Sequence, residues 1–427
     1  MSLPEVAPPV ERRAFGSSVV WVTIFMVISG ASLGGSAVLS ARALGPSGRG
    51  AFVVSLTLAV FLALLGSCGV GLSGRRRLAS AAPRDRTTLP EFRALQWRLM
   101  LAQLPIAAIA AFVVLPAIGA RESTSQQIVF VAYSVLFLGA GLSRDALYGV
   151  GGSRQSSAIN AIASVVLLVG VICLPLVGQT SVAAYLAIFA LSALFEFVTA
   201  IVVASRRSSH HVEARGSGQL LALLRSGPPA LVLTFAQMAV LRGDRLIIGA
   251  MTDTRRVGLY SVAATATEFM SLGAFAVAQV LFHPVASKKI EPSTVNRLRS
   301  LAFYVTAALC LTLFVIAPWV VSVVLGDAFE DAVPLLRVLA LAAIPYATYQ
   351  MDVYYLAAAG HVGLAARVSV VGTATLIVAD VVLILAFGVN GAAYACLLAY
   401  CAIAILARFA VRTQSQTQSD SSAHDVI

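Results

Sequence analysis

The decapeptide Ala41–Gly50, "ARALGPSGRG", packs three glycines, a proline and two arginines between two long apolar runs. A glycine-rich loop with cationic side chains either cradles a phosphate or turns one helix into the next, and the choice decides the fold class. A phosphate-binding P-loop needs a strand before its glycines and a Lys-Ser/Thr pair after them. Here the glycines read G-x-x-G-x-G with no such pair, and no strand precedes them. Gly45-Pro46 breaks the preceding helix, Ser47 offers an N-cap to the next, and Gly48 and Gly50 permit close backbone approach. The stretch therefore reads as a turn joining two membrane helices, with Arg42 and Arg49 placed to touch an anionic headgroup.

Composition carries that reading outward. Of 427 residues, 59% are hydrophobic and 11% charged, with a mean hydropathy of +0.89; soluble domains carry roughly 25% charged residues. Apolar stretches of about 20 residues, long enough to cross a bilayer, recur along the chain. Twelve spans are expected, at about 18–41, 50–73, 97–118, 127–150, 156–178 and 181–205, then about 222–250, 257–284, 300–325, 332–358, 363–387 and 390–411. The first run is too long for a signal-peptide core and lacks a cleavage signature, so it is expected to be retained. The predicted fold is an all-α polytopic membrane protein.

The net charge of +11 would suit a nucleic-acid binder, but its distribution follows a topology. With the N-terminus inside, 21 of the 30 Lys and Arg residues fall on cytoplasmic segments, among them Arg75, Arg76, Arg77 and the linker "SRRSSHHVEARGSG" at 205–218. Only Arg42, Arg49, Arg121, Arg255 and Arg256 lie outside. This is the positive-inside pattern of a multi-pass protein with both termini in the cytoplasm. No nucleic-acid partner is implied. The five cysteines fall within apolar spans without metal-ligand spacing, so no metal and no disulfide framework is expected.

The two halves repeat. Ala43–Ser80 overlays Ala250–Ser287, Asp145 and Tyr148 answer Asp352 and Tyr355, and Gly178 with Tyr185 answers Gly388 with Tyr394. Six helices per half give both halves the same orientation, which relates them by an axis along the membrane normal, as in parallel-repeat transporters. The expected organisation is a six-helix lobe over 1–205, a basic cytoplasmic linker over 206–219, a second six-helix lobe over 220–412 and a disordered cytoplasmic tail over 413–427.

Charges inside a bilayer cost at least about 2.5–3.5 kcal/mol each, so they mark partners or wet cavities. Arg242-Gly-Asp-Arg245 is the densest cluster; Arg242 and Arg245 share a helix face, and Asp244 beside it would neutralise one of them. It makes either a cationic cavity wall for an anionic headgroup such as pyrophosphate, which arginine grips bidentately, or an internal salt bridge. Arg144-Asp145 and the duplicated Asp-x-x-Tyr pairs, Asp145/Tyr148 and Asp352/Tyr355, either line a cavity against sugar hydroxyls or cap contacts within each lobe. Glu196, Glu268 and Asp380 are lone acids, each a candidate site for a coupling proton or sodium ion. Arg337 is expected in a surface ion pair with Asp327, Glu330 or Asp331. His210 and His211, in the linker, have no catalytic setting.

No enzyme signature is present: there is no Walker motif, H-E-x-x-H or nucleophile elbow, and no catalytic residue or cofactor is expected. "SARALGPSGRGAFVVSLTLAVFLALLGSCGVGLSGRRRLAS", "LRGDRLIIGAMTDTRRVGLYSVAATATEF" and "GDAFEDAVPLLRVLALAAIPYATYQMDVYYLAAAGHVGLAARV" resemble the first helix pair, the seventh and eighth helices, and the tenth helix of polysaccharide-biosynthesis flippases. These belong to the multidrug/oligosaccharidyl-lipid/polysaccharide exporter superfamily. The resemblance implies two six-helix lobes around a partly cationic cavity, and the flipping of polyprenyl-pyrophosphate-linked oligosaccharide across the cytoplasmic membrane by alternating access. By position, Arg242, Asp244 and Arg245 would face the cavity or its outer gate, and Arg75, Arg76 and Arg77 the cytoplasmic entrance. The implied partners are the lipid-linked glycan, membrane lipids and polysaccharide-assembly enzymes. Trp21 to Ser40 carries no charge, unlike relatives with arginines in the first span. A multidrug cation antiporter of the same fold and a membrane polysaccharide polymerase or ligase are the competing readings. Cationic drugs favour acidic cavities, and a polymerase needs a large outer loop.

Overall fold

The computed structural model describes residues 9–79, 88–118, 123–207, 223–225, 227–286 and 292–424. The described residues are helical throughout, apart from turns. Helix α1 (Pro9–Gly66) bends at Gly45, whose φ of 66° and ψ of 177° leave the helical region. Its two arms are the first two spans, and α2 (Val70–Ala79) extends the second beyond a break at Ser67–Gly69. The expected break at Gly45-Pro46 is thus met: a left-handed φ suits glycine, and proline begins the next arm with its missing N–H turned to no loss. The second half of the N-terminal lobe comprises α3 (Leu89–Ile109), α4 (Thr124–Gly149), α5 (Ser153–Leu176) and α6 (Val182–Arg207). The C-terminal lobe comprises α7 (Pro228–Met251), α8 (Thr254–Ala286), α9 (Pro292–Val320), α10 (Val333–Ala358), α11 (Val362–Phe387) and α12 (Val389–His424).

Nine of the described helices are long and apolar enough to cross a membrane. That set treats α1 as one helix and omits α7 and α8. With both arms of α1, and with α7 and α8 packed among the others, twelve rods result. The linker expected at 206–219 lies largely outside the described residues, as do His210 and His211. The backbone of α12 stays helical to His424, where the sequence suggested a disordered tail.

The repeat is visible in packing as well as in sequence. In the first lobe α1 packs on α5, α4 on α6, α3 on α4, α2 on α4 and α5 on α6. The second lobe repeats the set as α7 on α11, α10 on α12, α9 on α10, α8 on α10 and α11 on α12. Local irregularities recur too. A π-turn at Ala110–Val114 after α3 answers one at Val321–Leu325 after α9, and left-handed glycines at 151 and 178 answer those at 360 and 388.

The turns at Gly45, Gly178, Gly326 and Gly388 share one end of the bundle, called here the turn end; the inter-lobe linker leaves from the other, the linker end. The lobes meet where α1 packs on α7 and α8. Midway along, the ring of Phe269 lies against Gly34, and Phe61 meets Phe235 edge-on at 5.3 Å between centroids. At the turn end the contact is backbone on backbone. A Cβ on Gly50 would stand 1.6 Å from the Thr254 carbonyl oxygen, and one on Gly258 1.8 Å from that of Pro46. Gly50 and Gly258 are matching positions of the repeat. At the linker end, Cys68 and Gly69 press on Gly227 in the same manner.

Candidate functional site

Helix α7 carries its three charges about nine residues, or roughly 13 Å, below the turn end. Arg242 and Arg245, one helical step apart, reach the same carboxylate across the α7–α8 groove. Arg242 Nη2 stands 3.0 Å from Glu268 Oε2, and Arg245 Nη2 contacts Oε1. Arg245 is buried, whereas about a third of the Arg242 side chain is exposed. Arg49, from the second arm of α1, is buried within electrostatic range of both arginines and of Glu268. It donates to Ser40 Oγ at 2.9 Å and lies over Phe52. Two guanidinium groups thus share one carboxylate at the seam between the lobes, with that of Arg49 within electrostatic range. Tyr133 of α4 is within range of both Arg242 and Glu196, so the first lobe faces this cluster.

Asp244 lies within electrostatic range of Arg245, as the sequence suggested, but a residue one step from that face makes its hydrogen bonds elsewhere. Its carboxylate turns into the second lobe, where it accepts from Tyr260 Oη, from Cys396 Sγ at 3.6 Å and from the backbone N–H of Arg245. Asp380 of α11 lies within electrostatic range of Asp244, fully buried, and neither of its oxygens has a hydrogen-bond partner among the described residues.

The expectation of three lone acids therefore holds only for Asp380. Glu268 is committed to Arg242 and Arg245. Glu196 of α6 pairs with Arg144 of α4 at 2.9 Å and accepts from Asn160 Nδ2 at 3.4 Å. Asn160 in turn accepts from Ser29 on α1 at 2.9 Å. A carboxylate in a bilayer takes whatever donor a neighbouring helix offers, and those donors lie 26 and 52 residues away in sequence.

Comparison with known proteins places this architecture. Residues 153–334 match the family model described as polysaccharide biosynthesis protein. Over 169 residues the chain is 30% identical to a probable low-salt glycan biosynthesis flippase of Haloferax volcanii; the match spans 38% of this chain and 36% of that protein. The solved structure of the lipid II flippase MurJ in an inward closed conformation superposes with a TM-score of 0.75, over 92% of this chain and 87% of that one, at 12% identity. An inward-facing multidrug resistance MATE transporter of the MOP superfamily superposes with a TM-score of 0.63, over 95% and 99%, at 14% identity. The chain has the fold of these two transporters.

On this frame the remaining candidate residues separate by place. Arg144 and Glu196 lie in the linker-end half of the first lobe, with about a third of the Arg144 side chain exposed. Asp145, beside Arg144, faces Gly71 of α2 and is not paired with its neighbour. Asp352 is tied into the second lobe. It is fully buried and held by Arg299 of α9 and by Arg408 of α12, the latter at 3.2 Å. Of the two readings offered for the Asp-x-x-Tyr pair in this lobe, the geometry fits the contact within the lobe. Arg75 lies over the ring of Tyr148, and Arg75 and Arg76 are exposed at the linker end, with Arg77 half-buried. Arg42, expected near a headgroup, donates to the Val323 carbonyl at 2.5 Å and so ties α1 to the π-turn after α9. Arg337 meets Phe314 and not the acids near it, and Asp331 pairs with Arg255 instead.

Proposed function

We propose that this chain flips a polyprenyl-pyrophosphate-linked oligosaccharide, the precursor of a cell-surface polysaccharide, across the cytoplasmic membrane by alternating access. The observation that carries this reading is the bridging of Arg242 and Arg245 by Glu268 at the lobe seam, with Arg49 and Asp244 within electrostatic range. An excess of guanidinium over carboxylate suits a diphosphate, which accepts two forked hydrogen bonds per phosphate. The same excess repels the cationic drugs expected of a multidrug antiporter. In this reading Arg144 in the linker-end half meets the headgroup first, and Arg75, Arg76 and Arg77 line the approach. The termini lie in the cytoplasm, and glycan-assembly enzymes supply and consume the substrate. Flippase and transporter relatives favour a carrier without catalytic chemistry of its own.

For coupling, Asp380 is kept of the three acids considered from sequence, with the buried Asp244 beside it. Asp244 has Arg245 within electrostatic range, but Asp380 has no cationic side chain beside it among the described residues, and such a carboxylate calls for a proton or a small monovalent cation. Glu196 and Glu268, being paired, are assigned to the substrate side.

The test is flipping of fluorescent lipid-linked oligosaccharide in proteoliposomes. The parent protein should flip it, and Arg242→Ala or Arg245→Ala should cut the rate at least about tenfold, the loss expected when a charge-assisted contact of about 1.5–3 kcal/mol disappears. Proton-coupled dye efflux without lipid flipping would transfer the chain to the multidrug reading. Asp380→Asn should leave substrate binding intact while making the rate indifferent to proton and sodium gradients.

A further inference from the structure

We infer that Glu268 is a built-in stand-in for the substrate's phosphate: it occupies the arginine pair in the empty carrier and is displaced when the anionic headgroup binds. The inference rests on the anion-site reading above and assigns Glu268 a role that reading does not require. Four observations lead to it. Glu268 does not make an ordinary one-to-one ion pair, because its two oxygens are divided between two guanidinium groups on one helix face. That is the bridging geometry a phosphate would adopt between the same arginines. The partners are also unequal in access, since Arg245 is sealed while Arg242 and Glu268 keep part of their surface open, so an incoming anion reaches the bridge from the Arg242 side.

Third, Glu268 has a polar alternative beside it. It lines a small cavity of about 30 Å³ together with Thr267, Ser271, Tyr346, Tyr260, Tyr400 and Asp244. Tyr346, which accepts from Gln350, can donate its hydroxyl to a carboxylate that has given up its arginines, whereas Tyr260, Tyr400, Thr267 and Ser271 already donate to other acceptors. Fourth, the other lobe repeats the arrangement in reduced form: Arg144, exposed to a similar degree, is held by Glu196. Both exposed arginines along the proposed path are therefore kept in place by an internal glutamate. Such a device lets a protein hold guanidinium groups in a bilayer without leaving them bare when the substrate is absent. It also weakens apparent affinity, because only the fraction of molecules with free arginines can bind, and that weakening favours release.

The experiment measures binding of inorganic pyrophosphate to the purified full-length protein in nanodiscs by calorimetry, alongside flipping of lipid-linked oligosaccharide. Glu268→Gln should bind pyrophosphate about tenfold more tightly, as expected when an occluding competitor is removed, and should flip more slowly. Glu268→Asp, which keeps the charge but is too short to bridge both arginines, should shift in the same direction by less; it serves if the glutamine variant folds poorly. Unchanged or weaker pyrophosphate binding in both variants, with binding by the parent that Arg242→Ala abolishes, would overturn the stand-in while leaving the anion site intact. Absence of binding in the parent and in both variants would overturn the anion site and this inference together.

Discussion

At the scale of single residues, the described structure separates charges that hold the fold from charges open to a ligand. Asp352 belongs to the first kind. It is fully buried and joins Arg299 of α9 to Arg408 of α12. Removing one partner of such a group leaves an uncompensated buried charge, which typically costs about 3–5 kcal/mol. Asp352→Ala should therefore lower the thermal unfolding midpoint in detergent sharply, whereas Arg242→Ala, which leaves Glu268 paired with Arg245, should lower it little and reduce flipping more. Sequence made the arginines of α7 legible because charge in an apolar run is conspicuous. It left their partner hidden, since Glu268 lies on the next helix and nothing in "SVAATATEFM" announces which way that side chain points. Arg49 was legible only as part of a turn. Its burial against Ser40 and Phe52 is set by how the second arm of α1 seats on the second lobe.

At the scale of elements, the duplicated pattern carried most of what could be read. The overlay of Ala43–Ser80 on Ala250–Ser287 marked α8 as the counterpart of the second arm of α1, although neither α7 nor α8 is among the described helices apolar enough to span by composition. The π-turns after α3 and α9 had no signal of their own, because a fifth-residue hydrogen bond is a local response to packing. The glycine seal at the turn end was anticipated only as close approach. Its partner, Gly258, is the matching glycine of the repeat. A side chain at either position collides with backbone, which cannot rotate away as a side-chain tip can. Gly50→Val and Gly258→Val should each prevent the turn end from closing. A cysteine placed at position 47 should then react with a membrane-impermeant maleimide at a rate well above that in the parent background, with flipping lost. By contrast Gly45→Ala, with open space around its Cβ but a left-handed φ, should cost only about 1–2 kcal/mol of stability and leave accessibility unchanged.

At the scale of the whole molecule, the proposed orientation puts the linker end in the cytoplasm and the turn end outside, as the charge distribution suggests. Single cysteines at 253 and 361, at opposite ends of the bundle, should label from opposite sides of sealed vesicles, 253 from outside; the reverse pattern would invert the proposed transport direction. The lobes meet by backbone contact at both ends, Gly50 with Gly258 and Gly69 with Gly227, and this has a mechanical consequence. Helix α7 is about 36 Å long at 1.5 Å per residue. If Gly227 serves as the fulcrum, a rotation of about 10° moves the far tip by about 6 Å, yet shifts Arg242, about 13 Å short of that tip, by only about 4 Å. Leverage of this kind parts the Gly50–Gly258 contact while Cys68, Gly69 and Gly227 stay nearly in place, so a small angular step suffices to open one end of the carrier while the other end bears the load.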